Sequence, residues 1–281
     1  MRGLKVNLIT IDDINAPELD DFARATEPQL RERGIFLAET ASVILRALEA
    51  GYEPLSMLVE TERVEAEAGP VFEAAGKLCS EQTLSALKIY SAPREVVTQI
   101  TGHHLVRGLW MTLRRKPGIS AEEFCRDKKR IAVLVDVVNP MNVGAIFRCA
   151  AALGMDGILL THPSVDPLTR RSARVSMGTV FQIPWVKIGR EESEGTALIK
   201  TLRSYGFKTV AMALTPDSTN VDNDEIRAND KLAVMLGTEG TGLPGEVIKE
   251  SDYRVMIPMY HGVDSLNVAA ASAICFWELM K

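Results

Sequence analysis

Short apolar runs alternate with stretches of helical periodicity in the first half of the chain. Strands are predicted at Gly34–Ala38, Leu55–Glu60, Lys88–Tyr90 and Leu109–Leu113, and helices at Glu39–Ala50, around Phe72–Leu78 and at Pro93–Ile100. In Glu39–Ala50 the apolar positions share one face, and Gly51 follows as a stop signal. Strands and helices that alternate with short connections are typical of a small α/β domain.

The second half shows the same alternation with more apolar strands. It opens on Ile131–Val138, which is apolar enough for a strand buried on both faces of a parallel sheet. Helix Asn142–Leu153 follows, then strands at Gly157–Thr161, Trp185–Ile188, Thr209–Leu214, Leu232–Leu236 and Arg254–Pro258, and a final amphipathic helix at Leu266–Met280. Because such domains bind ligands beyond the carboxyl ends of their strands, functional residues are expected in those loops.

Length favours two domains, since 281 residues exceed the usual size of one. The charged, Pro-Gly-containing stretch Arg114–Asp127 is predicted to join them. The predicted boundaries are residues 1–116 for the first domain, 117–127 for the linker and 128–281 for the second domain. With 46% hydrophobic and 25% charged residues, the composition is that of a globular protein rather than a fibrous or disordered one.

The sequence predicts a cytoplasmic protein without a membrane segment or a metal site. No apolar run reaches the length of a membrane helix, and Asp12 and Asp13 interrupt the first apolar stretch before a signal-peptide core could form. The four cysteines lie far apart with no CxxC pair, which argues against a zinc ribbon and against a disulfide scaffold.

Net charge is −5, and all of it falls in residues 1–127, while the remainder is neutral. A polyanion would therefore bind only at local basic patches. Three such patches are present: Arg107 with Arg114, Arg115 and Lys116; Arg126 with Lys128, Lys129 and Arg130; and Arg170 with Arg171 and Arg174. The alternative for each patch is a solvated surface beside a domain boundary.

The first candidate loop is NPMNVGAIFR, residues Asn139–Arg148, between a predicted strand and a helix. Asn142 is predicted to cap that helix, whose free amide groups suit an anion. Gly144 permits close backbone approach. Arg148 falls on the helix and is the only charge among apolar neighbours. Either Arg148 reaches a ligand or its side chain extends to a surface acid.

The second loop, LGTEGTGL, covers Leu236–Leu243 directly after a predicted strand. Its three glycines leave backbone amides bare and permit positive φ, which suits a loop wrapped tightly around a ligand. It matches neither the P-loop nor the dinucleotide-binding fingerprint. Glu239 within it is a candidate hydrogen-bond acceptor, and the alternative is a plain turn.

The third loop, IPMYHGVDSLNVAAA, covers Ile257–Ala271. Pro258 is predicted to end a strand, and Asp264 or Ser265 to cap the final helix. The small residues that follow allow close packing. Taken alone, this pattern indicates only a capped helix docked on its neighbours.

Together the three loops resemble, in order and spacing, motifs 1, 2 and 3 of the SpoU/TrmH family of RNA ribose 2′-O-methyltransferases in the SPOUT superfamily. The resemblance covers about Asp127 to Lys281, and SMG at Ser176–Gly178 followed by Pro184 also fits. It implies an α/β domain with a parallel sheet and a deep C-terminal trefoil knot. It also implies a homodimer through the knotted domain, S-adenosyl-L-methionine bound in the knot, and an RNA substrate, rRNA first and tRNA as the alternative.

The resemblance also assigns residues. The implied cofactor-binding residues are Gly237, Ile257 and Leu266 through their backbone, with Gly240, Gly242 and Met259 lining the pocket. The implied catalytic residues are Arg148, which matches the motif 1 arginine, Asn142, which would orient it, and Glu239, Ser265 and Asn267. The first half resembles the family's ribosomal-protein-L30e-like substrate-binding domain. It departs from the pattern at Ala38–Thr40 and in its acidic opening, which weakens the expectation of RNA affinity there.

The chemistry of methyl transfer leaves the role of Arg148 open. A methyl group on a sulfonium is already activated, so the enzyme has to align a ribose 2′-oxygen with it and help remove the proton. Arginine is a poor base because its guanidinium stays protonated at ordinary pH. Arg148 is therefore either a base or a bidentate clamp on phosphate that stabilises the developing alkoxide.

Two other functions fit parts of the pattern. One is an RNA-binding or ribosome-assembly factor that keeps the fold without methyl transfer, against which the presence of Arg148, Glu239 and Asn267 argues. The other is a nucleotide-binding oxidoreductase, which the missing dinucleotide fingerprint disfavours.

Overall fold

The computed structural model describes residues 8–101 and 108–280. In these ranges the strands are β1 (Leu8–Thr10), β2 (Ile35–Glu39), β3 (Pro54–Glu60), β4 (Lys88–Ala92), β5 (Leu109–Arg114), β6 (Arg130–Leu134), β7 (Gly157–Leu160), β8 (Trp185–Lys187), β9 (Lys208–Met212), β10 (Thr219–Asn220), β11 (Leu232–Leu236) and β12 (Tyr253–Met256). The α-helices are α1 (Asp20–Ala23), α2 (Glu27–Glu32), α3 (Ala41–Glu49), α4 (Gly69–Leu78), α5 (Glu81–Ala86), α6 (Arg94–Thr101), α7 (Ala121–Cys125), α8 (Pro140–Ala152), α9 (Arg170–Val175), α10 (Arg190–Ser193), α11 (Gly195–Ser204), α12 (Asp224–Arg227), α13 (Gly245–Glu250) and α14 (Val268–Leu279).

The chain forms two compact units. The first comprises residues up to Pro117 together with the segment Leu168–Phe181, and the second comprises Gly118–Pro167 and the chain from Gln182 onward. The division differs from the predicted boundaries in two respects: no separate linker lies between Pro117 and Gly118, and Leu168–Phe181, which lies in sequence within the second half, belongs to the first unit. We call this segment the arginine segment, after Arg170, Arg171 and Arg174.

The first unit is built on a mixed sheet with the strand order β1-β4-β3-β5-β2 among the described strands. β1, β4 and β3 run parallel, and β5 is antiparallel to both β3 and β2. Its core includes Leu37, Leu58, Tyr90 and Trp110, all buried. The α/β class predicted for this half is confirmed.

The second unit holds a parallel sheet with the order β10-β12-β9-β11-β6-β7-β8 in the part of the chain described. β6, β7 and β11 are almost wholly buried, which explains why their sequences are continuous apolar runs rather than alternating ones. β6 is shorter than the predicted strand, because Asp136 adopts a φ of 57° and its N–H donates to the Thr161 hydroxyl instead of continuing the ladder.

The predicted linker contains structure. Ser120 accepts a hydrogen bond from the N–H of Glu123 and so caps α7, whose Phe124 and Cys125 are buried in the core of the second unit. The linker prediction is therefore wrong for these residues. The many charged residues of this stretch masked a helical pattern: Ala121, Phe124 and Cys125 lie on one face of a short helix.

Two chemical expectations concern the whole fold. None of the helices within the described ranges is long and apolar enough to cross a membrane. Burial raises the pKa of the Cys125 thiol to about 11, and Cys275, also buried, has its thiol pKa raised by burial. Both cysteines therefore stay protonated at neutral pH and act as core side chains.

Candidate active site

A cavity of about 430 Å³ lies at the carboxyl ends of three neighbouring strands of the second unit. The strands β12, β9 and β11 are adjacent in the sheet, so the loops that follow them meet at one edge. All the residues assigned to the cofactor line this cavity, namely Gly237, Gly240, Gly242, Ile257, Met259 and Leu266, and so do Glu239, Ser265 and Asn267. Residues of motifs 2 and 3 therefore line the same cavity, whereas Asn142 and Arg148 of motif 1 do not line it.

The glycine-rich loop after β11 closes on itself. The N–H of Gly242 donates to the carbonyl of Thr238 at 3.0 Å, and these two residues form an antiparallel bridge. Gly240 and Gly242 have φ values of 86° and 69°, the left-handed region that favours glycine. Gly237 is needed for a different reason, because a Cβ there would lie 2.2 Å from the backbone carbonyl carbon of Gly242.

Asn267 joins residues of all three motifs. Its Nδ2 donates to Glu239 Oε1 at 2.7 Å and to Asn142 Oδ1 at 3.2 Å. Its Oδ1 accepts from the N–H of Ala269 and so caps α14. The predicted cap at Asp264 or Ser265 is therefore wrong, because the helix begins only at Val268 and both of these residues lie in the preceding loop.

Asn142 lies inside α8 and does not cap it. The cap is Asn139, whose Oδ1 accepts from the N–H of Met141 at 2.9 Å, because Pro140 starts the helix two residues earlier than predicted. Asn142 is 6% exposed, and its Nδ2 has no hydrogen-bond partner in the described structure. A buried amide donor without an acceptor is costly, so this atom is a place where a bound group could accept a hydrogen bond.

Arg148 is an exposed side chain of α8. Within the described ranges it makes no hydrogen bond or ion pair, so neither a surface acid nor Asn142 fixes it. Next to Arg148, burial raises the pKa of the Cys149 thiol. A hydrogen bond with Ser272 and the positive charge of Arg148 lower this pKa, but the effect of burial is larger. Cys149 is therefore not a nucleophile at neutral pH, and the guanidinium is the chemically available group of this helix.

Several lining residues were missed by the sequence analysis. They are Met212, Ala213 and Leu214 after β9, together with Thr238, Asp264, Val268 and Ala271. The loop after β9 carries no motif, and it reaches the cavity only because β9 lies between β11 and β12. Strand order is a long-range property that residue patterns do not contain. Among the described residues, no group of three or more His, Cys, Asp or Glu is placed to hold a metal ion.

The chain is similar to known proteins in sequence and in fold. The sequence profile of the SpoU rRNA methylase family matches residues 129–277. An uncharacterised tRNA/rRNA methyltransferase of Mycobacterium bovis is 33% identical over 274 residues, which cover 95% of this chain and 89% of that protein. The chain therefore belongs to the SpoU rRNA methylase family, which identifies it as a methyltransferase and confirms the resemblance read from the three loops.

Two further similarities bear on fold and target. A solved AdoMet-bound rRNA methyltransferase from Sinorhizobium meliloti has a TM-score of 0.79 at 24% identity and covers 97% of both chains, which shows that the fold extends over both units. The 23S rRNA (guanosine(2553)-2′-O)-methyltransferase RlmP of Bacillus subtilis is 27% identical over 158 residues, which cover 56% of this chain and 60% of that protein.

Proposed function

We propose that this protein transfers a methyl group from S-adenosyl-L-methionine to a ribose 2′-hydroxyl of RNA, with rRNA as the substrate and tRNA as the alternative. The observation that carries the proposal is the cavity at the ends of β9, β11 and β12, where motifs 2 and 3 meet and Asn267 ties them to motif 1. The name of the Bacillus subtilis relative supports rRNA and the 2′-oxygen.

The residues of the cavity fit the proposed cofactor. Its volume of about 430 Å³ falls in the range of about 300–1,000 Å³ typical of small-molecule sites. Its lining is largely apolar and includes Leu236, Ile257 and Leu266, which suits an adenine ring. Glu239 and Asp264 are the acidic side chains of the lining, and they suit a positively charged group. Backbone at Gly237, Ile257 and Leu266 would hold the adenosine and methionine parts.

The chain's own residues would then organise the transfer. When bound, S-adenosyl-L-methionine supplies an activated methyl group. The ribose 2′-oxygen would accept that methyl group while its proton passes to solvent, and the demethylated cofactor would be the other product. Arg148 would clamp a neighbouring phosphate and stabilise the developing alkoxide, since its exposed guanidinium makes no hydrogen bond or ion pair with a described residue. Its protonated state favours this role over that of a base.

The other proposed catalytic residues would mainly position the loops of the site and the substrate. Asn267 uses both amide hydrogens on Glu239 and Asn142, so it would hold the motif 2 loop against α8. The buried Nδ2 of Asn142 has no hydrogen-bond partner among the described residues, so its N–H groups are available to a bound substrate. Ser265 lies in the cavity wall close to this network in sequence and would contact the substrate. These roles remain part of the proposal.

The finer architecture also belongs to the proposal. The trefoil knot, the L30e-like character of the first unit and a cytoplasmic location follow from the family resemblance.

Calorimetry with the purified protein tests the proposed cofactor. We expect S-adenosyl-L-methionine to bind with one site per chain and NAD not to bind, because the lining lacks the dinucleotide fingerprint. Mapping of 2′-O-methyl groups in rRNA and tRNA from a strain lacking the gene then identifies the target. Binding of NAD alone would favour an oxidoreductase, and RNA binding without cofactor binding would favour a factor that has lost methyl transfer.

A homodimer through α14 is the second expected property. Ile274 and Trp277 are 38% and 57% exposed and lie three positions apart, so they share one face of the helix. Phe276 lies between them in sequence but is fully buried, so it does not belong to this surface. We expect a dimer by light scattering at micromolar concentration, and a monomer for Trp277→Asp.

The control for the dimer is Leu78→Asp in α4 of the first unit. Leu78 is 50% exposed, close to the value for Trp277, so the substitution makes a similar change of surface away from α14. We expect Leu78→Asp to leave the dimer intact. A wild-type protein that is monomeric at micromolar concentration would contradict the proposed interface.

A further inference from the structure

The arginine segment is held firmly within the first unit. The guanidinium of Arg46 donates to the carbonyl of Met177. Gly178 follows with a φ of 81°, and a Cβ there would meet the Arg46 side chain at 3.0 Å. Phe181 packs its ring 5.6 Å from that of Phe36 and 5.3 Å from that of Tyr52. The SMG sequence and Phe181 thus fix the segment on this unit.

The segment changes the charge of the unit it joins. Residues 1–117 carry 14 Lys and Arg against 17 Asp and Glu, which is a net charge of −3. Leu168–Phe181 carries three arginines and no acid, so the complete unit is neutral. The weak expectation of RNA affinity for the first half rested on its own acidic residues. The structure supplies positive charge to this unit from elsewhere in the chain.

A buried carboxylate organises two of the arginines. Glu39, at the end of β2, is 4% exposed, and its two oxygens lie 3.2 and 3.3 Å from Nη1 of Arg174. Nε of Arg170 lies 3.9 Å from the same carboxylate. A buried carboxylate needs such partners. Glu39 carries one negative charge and faces two guanidiniums, so it cannot neutralise both, and both arginine side chains stay about two-fifths exposed.

Arg171 adds a third guanidinium beside this pair. Its side chain is exposed, and it makes no hydrogen bond or ion pair to any described residue. The backbone N–H of Arg170 donates to Glu27 Oε1 at 2.8 Å, which anchors the start of the helix that carries all three arginines. The three arginines therefore present guanidinium N–H donors from a helix whose backbone is held in place.

We propose that Arg170, Arg171 and Arg174 form a docking site for the sugar–phosphate backbone of RNA on the first unit. A guanidinium offers five donors in a plane that matches phosphate, and Glu39 occupies one nitrogen of Arg174 and leaves others available. Fixing the side chains before binding reduces the ordering cost. Such contacts add affinity and orientation without reading sequence. This proposal rests on the proposed function, because it names where that enzyme holds its substrate.

The other two basic patches are largely engaged in internal contacts. Lys129 pairs with Asp230 at 2.7 Å, and Arg130 donates to backbone carbonyls of the same region. Arg114 pairs with Glu53 at 2.7 Å, and Arg107 lies outside the described residues. Arg126 is exposed and has no partner among the residues described, so it serves as a matched control for Arg171.

The experiment compares Arg171→Ala with Arg126→Ala. Binding of a fluorescein-labelled RNA hairpin is measured by anisotropy over a series of salt concentrations, and S-adenosyl-L-methionine binding by calorimetry. We expect Arg171→Ala to weaken RNA binding about threefold to tenfold and to lower the salt slope by about 0.7–0.9, the value for one lost phosphate contact. Arg126→Ala should keep the wild-type affinity and slope. Both variants should bind the cofactor as the wild type does.

Glu39→Gln separates a built site from a diffuse positive field. The substitution adds one positive charge to the unit, so a field effect alone would tighten RNA binding. Loss of the carboxylate instead releases Arg170 and Arg174, and we therefore expect weaker binding with a smaller salt slope. Tighter binding would overturn the built site. If Glu39→Gln does not fold, the exposed Arg171 variant still decides the question.

Failure of this inference differs from failure of the proposed function. RNA affinity and salt slope unchanged in Arg171→Ala, while the wild type binds cofactor and methylates RNA, would overturn the docking site alone. A change of oligomeric state in Arg171→Ala by light scattering would assign the arginines to an interface between copies and also overturn it. A wild type that binds neither cofactor nor RNA would overturn both.

Discussion

Replacing Arg148 with alanine is expected to lower single-turnover methyl transfer by about 10²–10³ at saturating RNA and cofactor, the usual effect of losing one preorganised donor to a developing oxyanion. The side chain is exposed and makes no hydrogen bond or ion pair within residues 8–101 and 108–280. It also does not line the cofactor cavity. The interaction it would make grows as charge develops, so the variant loses rate rather than cofactor affinity.

Two further variants make the Arg148 experiment specific. Arg148→Lys keeps the charge but not the planar two-point contact, so we expect it to be almost as slow as the alanine variant. Arg126→Ala removes another exposed arginine of the same unit and should transfer methyl groups at the wild-type rate. Stability should not change in either Arg148 variant, which thermal unfolding checks. Near wild-type transfer by Arg148→Ala would show that this arginine is only a surface residue.

Much of the second unit was predictable because its strands are buried on both faces. The apolar runs at β6, β7 and β11 are short and indicate buried strands, and they fixed the positions of the loops that carry the motifs. The six residues assigned to the cofactor all line one cavity. Local patterns predict these strands and the place of their loops because burial and chain direction dictate both. The cofactor residues come from the family resemblance and stay a prediction.

The errors arise where a short polar side chain competes for backbone hydrogen bonds. Four such residues near the two helix starts, Asn139, Asn142, Ser265 and Asn267, are equally good caps by residue type. Pro140 decides the first helix start, because proline favours the first turn. At the start of α14, the cap is Asn267, whose Oδ1 accepts from the N–H of Ala269 while its Nδ2 donates to Asn142 and Glu239. These contacts are between distant residues, and no local pattern reveals them.

The packing of the arginine segment on the first unit could not be predicted from the sequence, because its contacts are also between residues distant in the chain. Its three arginines were visible as a patch, yet their partner Glu39 lies 135 positions away from Arg174. The aromatic contacts of Phe181 with Phe36 and Tyr52 are equally distant in sequence. A segment can therefore belong to one unit by packing and to the other by its place in the chain.

Gly237→Ala is expected to impair cofactor binding more than any other single methyl group added to the glycine-rich loop. The new Cβ would lie 2.2 Å from the carbonyl carbon of Gly242 and 2.3 Å from the amide nitrogen of Leu243. Both atoms belong to backbone, so no side-chain rotation relieves the overlap. Leu243 is 5% exposed and packs in the core, so the loop has little room to move outward. The closed turn between Thr238 and Gly242 has to open.

The magnitude follows from the cost of that opening. Overpacking a well-packed site typically costs about 1–3 kcal/mol. Because the displaced loop forms part of the cavity wall, we expect cofactor affinity by calorimetry to fall about tenfold to a hundredfold. Gly237 follows the last residue of β11, so the strain falls at the carboxyl edge of the sheet and the strands themselves should persist. The far-UV circular dichroism spectrum should therefore keep its native form.

Two neighbouring glycines provide a graded control. A Cβ at Gly240 would meet nothing within 4 Å, but its φ of 86° strains any other residue by roughly 1–2 kcal/mol, so Gly240→Ala should have an intermediate effect. Gly245 opens α13 with free space around it and no positive φ, so Gly245→Ala should bind cofactor normally and unfold at the same or a slightly higher temperature. The expected order of affinity loss is therefore Gly237, then Gly240, then Gly245. Equal affinities in all three variants would show that the cofactor does not depend on the closed form of this loop, and the assignment of the cavity would then be wrong.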